Sequence, residues 1–203
     1  MKSKGLLIVF SGPSGAGKDT ILKRLLEKNP NIKLSVSATT RMPRSGETDG
    51  IDYHFITKEQ FQTMLEQGEM LESAEYCGNC YGTPSGPIRN WMSEGYDVIL
   101  EIEVQGGAQI KKKCPDCASV FILPPSLDAL EQRLRDRGTE EDEVIQKRLA
   151  TARKEISEAS HYDYLVINDT VENAVNEINQ IICAEKHRTH RDADLIERML
   201  NNA

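Results

Sequence analysis

Residues 10–20 read FSGPSGAGKDT and lie between a short apolar run, GLLIVF, and a leucine-bearing stretch. Glycines at 12, 15 and 17 let a backbone turn tightly and aim successive N–H groups at one spot. Together with the first turn of a helix starting near Lys18, they form a cradle for an anion. Gly12, Gly17 and Lys18 hold the required places of G-x-x-x-x-G-K-S/T, in which the lysine reaches the outer phosphates of a nucleoside triphosphate. An apolar strand before and a helix after are the context that this motif needs. A plain glycine turn with a chance lysine would leave the other matched positions unexplained.

Asp19 occupies the place of the usual magnesium-binding hydroxyl. A carboxylate about 6 Å from a phosphate charge is repelled by about 3 kcal/mol at an effective dielectric of about 20. A magnesium ion between them reverses that sign, and the helix dipole favours negative charge in a first turn. Thr20 offers a hydroxyl next door. The loop is therefore expected to work, with magnesium held mainly by phosphates and water and Asp19 either contacting it through water or turned outward.

Apolar runs at 5–10, 97–103, 118–123 and 164–167 read as fully buried strands. Helical patterns at 18–28, 106–113, 127–134, 140–159 and 171–186 alternate with them. That alternation predicts a parallel sheet covered on both faces. Residues 37–90 break the rhythm with short half-polar strands and a helix at 58–67, as an inserted α+β subdomain would. The charged tail, 187–203, carries apolar residues at helical spacing and reads as a solvated end.

The 203 residues suffice for one large domain with insertions. A net charge of −7 gives no general footprint for nucleic acid. No apolar run approaches the length of a membrane span. The first ten residues resemble a signal peptide only until the apolar stretch runs into the glycine loop, so the chain reads as cytosolic. Its five cysteines fit free thiols in a reducing compartment. The pairs Cys77/Cys80 and Cys114/Cys117 have the spacing of half zinc sites, but their separation is long for a compact zinc ribbon.

An acceptor site is hinted at by SVSATTRMPRSGETDGIDYHF. Arg41 and Arg44 flank Pro43 on a stiff extended segment, an arrangement suited to bidentate capture of a phosphate. Tyr53 adds a hydroxyl. Taken alone, the stretch is better explained as two exposed arginines on a solvated loop.

The strings GPSGAGK, SATTRMPRSGETDGIDYHF, NCYGTP, ILPPS, RLRDRGTE and VINDT occur in the order and approximate spacing of guanylate kinases. The resemblance runs from about residue 5 to residue 186. It implies a P-loop NTPase-type α/β core (1–36 and 95–186), a GMP-binding subdomain (about 37–90) and a helical lid (about 133–158). It implies transfer of the γ-phosphoryl group of ATP to GMP or dGMP, with Mg2+, in a monomer or homodimer. By matched position, Gly12, Pro13, Ser14, Gly15, Ala16, Gly17, Lys18, Asp19 and Thr20 would hold ATP phosphates. Arg133 and Asn168 would contact adenine. Ser37, Arg41, Arg44, Tyr53 and Tyr81 would bind the GMP phosphate, and Glu72, Thr83 and Glu103 would face guanine. Lys18, Arg41, Arg137 and Arg148 would carry the catalysis, with Gly138 as a hinge.

The chemistry is consistent with those implications. Guanine presents N1–H and N2–H₂ side by side, and a carboxylate accepts both, whereas adenine would leave it unsatisfied. Two departures stand out: Glu101-Ile102-Glu103 replaces the family's usual D-x-D, and Cys80 stands where an aromatic is common. Two rivals remain at this point. One is a non-catalytic phosphopeptide-binding module of the same fold, which would not need Lys18. The other is a kinase for a ribose-bisphosphate acceptor, which would not need Glu72.

Overall fold

The computed structural model describes residues 4–76, 78–136 and 141–201. Its centre is strand β1 (Leu7–Ser11), buried at every position. A strand with apolar residues on both faces has to be covered twice, and this one is. On one side Leu6, Ile8 and Phe10 pack with Val120, Val166 and Ile178; on the other Leu7 and Val9 pack with Ile88, Leu100 and Ile110. Each such side chain contributes about 1.5–3 kcal/mol on leaving water.

Around β1 the sheet is wholly parallel. Its order is β2 (Ile32–Leu34), β7 (Asp97–Glu101), β1, β8 (Ala118–Leu123), β9 (Tyr164–Ile167). The sequence pattern anticipated four of these strands. The fifth, β2, is three residues long and follows the helix stop at Asn29-Pro30, so it carries no periodicity of its own. The strand at 164–167 is not fully buried as expected. It lies at the sheet edge, with Leu165 54% and Ile167 51% exposed while Val166 is buried.

Helix α1 (Lys18–Lys28) buries Ile21, Leu22 and Leu25 and lies beside α7 (Val171–Lys186). Helices α3 (Ser85–Ser93) and α4 (Val104–Lys113) contribute Ile88 and Ile110 to the core on the opposite face. A small separate core joins α5 (Leu127–Asp136) to α6 (Asp142–Ser157) through Leu130, Leu134, Ile145, Leu149 and Ala152. The tail forms helix α8 (Ala193–Asn201).

A second sheet has the order β4 (His54–Phe55), β3 (Ala38–Thr39), β6 (Asn79–Pro84), β5 (Met70–Tyr76). Helix α2 (Lys58–Glu66) starts on a capping box in which Thr57 and Gln60 satisfy each other's backbone N–H groups, and its Phe61 packs on Ala38 and Met70. The two sheets meet where Gln109 of α4 exchanges two hydrogen bonds, 3.2 and 2.8 Å, with the backbone of Ser73 in β5.

Because every core strand runs the same way, the carboxyl ends of β1, β7, β8 and β9 share one edge of the sheet. Gly12, Glu101, Glu103 and Asn168 all emerge there, the usual place for a ligand in an open α/β sheet.

Candidate active site

The loop after β1 wraps the start of α1. Gly17 has φ +89°, and a Cβ there would stand 2.4 Å from Nδ2 of Asn168, so only glycine fits. That Asn168 amide donates to the Ala16 carbonyl at 2.7 Å. Arg133 donates to the same carbonyl at 3.2 Å and to the Asn168 carbonyl at 2.8 Å. Arg133 and Asn168 thus brace the loop from α5 and from the end of β9. Lys18 Nζ folds back onto the carbonyls of Gly12 (2.8 Å) and Pro13 (3.4 Å). Above the loop, Arg148 of α6 donates to Ser14 Oγ at 2.6 Å.

The loop borders a cavity of about 440 Å³ that Lys18, Asp19, Thr20 and Glu101 also line. Burial pushes the Glu101 carboxyl up to about 7; the negative charge of Asp19 and a hydrogen bond to it act in the same direction, and Lys18 opposes them. A buried carboxyl beside a second carboxylate ionises at a cost, so Glu101 takes up a proton as the pH falls through about 7. Asp19 faces the cavity and meets Glu101; it does not turn outward. Such a donor set fits a divalent ion among phosphates and water.

A second cavity of about 210 Å³ adjoins the first, and Ser37, Tyr53, Glu101, Ile102 and Glu103 line both. Its far wall carries Glu72, only 6% exposed. Glu72 Oε1 accepts the Thr83 hydroxyl at 2.6 Å. Burial raises the Glu72 carboxyl above its ordinary range, while Thr83 and Lys113 hold it down. A Cβ on Gly106 would lie 2.8 Å from Glu72 Oε2, so the first turn of α4 is bare where this carboxylate stands.

Among the residues lining this cavity Tyr53 and Tyr81 meet edge to face at 6.1 Å, and the Arg41 guanidinium lies 5.5 Å from the Tyr53 ring. Arg41 forms a fork with Glu47, 2.8 and 3.0 Å, and Glu47 also accepts the Arg44 backbone N–H at 2.7 Å. Arg44 itself is exposed.

Arg137, Gly138 and Cys77 lie outside the described residues. Cys80 belongs to the small sheet, whereas Cys114 and Cys117 pack at the end of α4. All three are free thiols, and among the described residues no three His, Cys, Asp or Glu side chains group to hold a metal. No helix among them is long and apolar enough to cross a membrane.

Three residues of the site escaped the sequence reading: Glu47, Gly106 and Glu155. Glu47 stands in the same loop as the arginines and offered the clearest signal, a carboxylate three residues past Arg44. Gly106 and Glu155 offered none, because both matter through contacts with distant elements.

A glycine loop with its lysine, on the carboxyl edge of a parallel sheet and opening into a carboxylate-walled second cavity, defines a P-loop nucleotide-binding protein with an acceptor site. The family model for guanylate kinase matches residues 4–185. The chain is 53% identical over 190 residues to a guanylate kinase of Desulfitobacterium hafniense, covering 94% of this chain and 95% of that one. It is 51% identical over 193 residues to a guanylate kinase of Clostridioides difficile, covering 95% and 94%. The crystal structure of guanylate kinase from Anaplasma phagocytophilum superimposes with a TM-score of 0.76 at 36% identity, over 94% of this chain and 90% of the other. This chain belongs to the guanylate kinase family.

Proposed function

We propose that the protein transfers the γ-phosphoryl group of ATP to GMP or dGMP, giving ADP and GDP or dGDP. The observation that carries this reading is the shared wall between the two cavities, with Lys18 in one and the Thr83-bound Glu72 in the other. ATP phosphates lie along residues 12–20, and adenine lies toward Arg133 and Asn168. The GMP phosphate is held by Ser37, Arg41, Arg44, Tyr53 and Tyr81. Glu72, Thr83 and Glu103 read guanine. On this reading residues 37–90 form the acceptor subdomain and residues 133–158 the lid.

Phosphoryl transfer depends on alignment and charge stabilisation more than on covalent help. Lys18 and Arg148 supply positive charge beside the loop, and Arg41 holds the acceptor phosphate in line. Arg137 is assigned to the transferring group by its matched position. Glu72 accepts the paired donors of guanine and orients the acceptor; adenine would leave that buried carboxylate unpaired. Asp19 and Glu101 would stand nearest a magnesium ion, which would supply neutralising charge on the phosphates when bound. A non-catalytic module would have no use for Lys18, which is in place.

The test is ADP release with ATP and magnesium against GMP, dGMP, AMP, CMP and UMP. Activity confined to GMP and dGMP is expected. Equal rates with AMP, or none with GMP, would sink the proposal.

A further inference from the structure

Helix α6 lies against the phosphate loop through two side chains. Arg148 donates to Ser14 Oγ at 2.6 Å. Two turns later Glu155 lines the same cavity as Ser14 and Lys18. A spacing of seven residues puts both on one helix face, about 10 Å apart along the axis. Both therefore face the same loop.

Glu155 is poorly satisfied where it stands. Its Oε2 is buried with no hydrogen-bond partner among the described residues. Burial favours its neutral form, Glu103 adds repulsion, and only Lys18 and the Ser14 N–H favour the charge. A carboxylate with an unmet oxygen is costly to bury, so a structural role alone does not account for it. The loop does account for it. Backbone N–H groups of a glycine-rich loop and its lysine are built to take anionic oxygens. The Glu155 carboxylate presents the charge and the acceptor atoms that a phosphoryl group would present.

The two anions cannot share that place. At about 4 Å, like charges repel by about 4 kcal/mol at an effective dielectric of about 20. We infer that Glu155 is a positioning residue: in the nucleotide-free protein its carboxylate stands in for a phosphoryl oxygen, docks α6 on the loop, and is displaced when a nucleoside di- or triphosphate binds. Displacement returns the loop to the ligand and releases α6, which carries Arg148, to seat on the phosphates. This rests on the reading of the loop as the ATP site.

Glu155→Gln keeps the size of the side chain while removing the competing charge. Calorimetry with ADP and, separately, with GMP compares it with the wild type. The ADP Kd should fall by about threefold or more, and the GMP Kd should hold. A purely structural glutamate would instead give a lower Tm and weaker ADP binding. An ADP Kd that is unchanged or raised in a variant with wild-type circular dichroism overturns the inference and leaves the ATP reading intact. A wild type that binds neither ADP nor ATP overturns both. Should Glu155→Gln fail to fold, Glu155→Asp, which retracts the charge by one methylene, must move the ADP Kd in the same direction; no change there is equally fatal.

Discussion

The Thr83 hydroxyl donates to Glu72 Oε1 across 2.6 Å, and both residues are buried. The bond fixes one carboxylate oxygen and leaves Oε2 facing the bare backbone of Gly106. Glu72→Gln replaces an acceptor with an amide donor facing the two donors of guanine. Its kcat/KM for GMP should fall by about 10²-fold or more, the scale for a buried polar group left mispaired. Steady-state kinetics with GMP and AMP checks both the loss and the narrowing of the preference.

Gly106→Ala tests the same carboxylate from behind. The new Cβ would press Glu72 Oε2 at 2.8 Å, while alanine suits a helix better than glycine by about 1 kcal/mol. Thermal melting should change little, and KM for GMP should rise severalfold. A large drop in Tm would mean that the contact belongs to the core and not to the site.

Arg41 is gripped by Glu47 through two nitrogens, a geometry that only a guanidinium provides. Arg41→Lys keeps the charge but loses the fork. KM for GMP should rise about tenfold or more, with KM for ATP nearly unchanged, as initial-rate kinetics would show.

Arg148→Ala removes a cation that touches the loop at Ser14. It should lower kcat by about 10²-fold while GMP affinity holds within a few-fold. Equal losses in both would remove Arg148 from the transition state.

Burial of Glu101, beside the negative charge of Asp19, makes stability fall as pH rises. Glu101 titrates near 7 in the folded protein, against 4.5 for a free glutamate. The folded state therefore binds the extra proton between those values. Below about 4.5 Glu101 is protonated in both states and nothing is lost; from there to about 7 it costs up to about 1.4 kcal/mol per pH unit, and above 7 the loss is complete. Denaturant titrations of the metal-free, nucleotide-free protein at pH 5.5 and 7.5 should show this slope, and Glu101→Gln should flatten it.

Much of this architecture is legible in the linear pattern of the chain. GPSGAGK between an apolar strand and a leucine-bearing helix is a contiguous signal, and α1 begins and ends where its stripe and its Asn-Pro stop imply. Four core strands stand out as apolar runs for the same local reason. The pattern did not disclose β2, too short to show a period, or the exposed face of β9, which depends on its edge position. Nor did it disclose which polar ends meet. Thr83 and Glu72 lie on neighbouring antiparallel strands, Asp19 meets Glu101 across the sheet edge, and Glu155 reaches the phosphate-loop cavity from a helix far along the chain. Periodicity reports which face of an element is buried. What a charged tip touches depends on how whole elements pack, and only the assembled sheet edge brings those carboxylates, the lysine and the loop to one place.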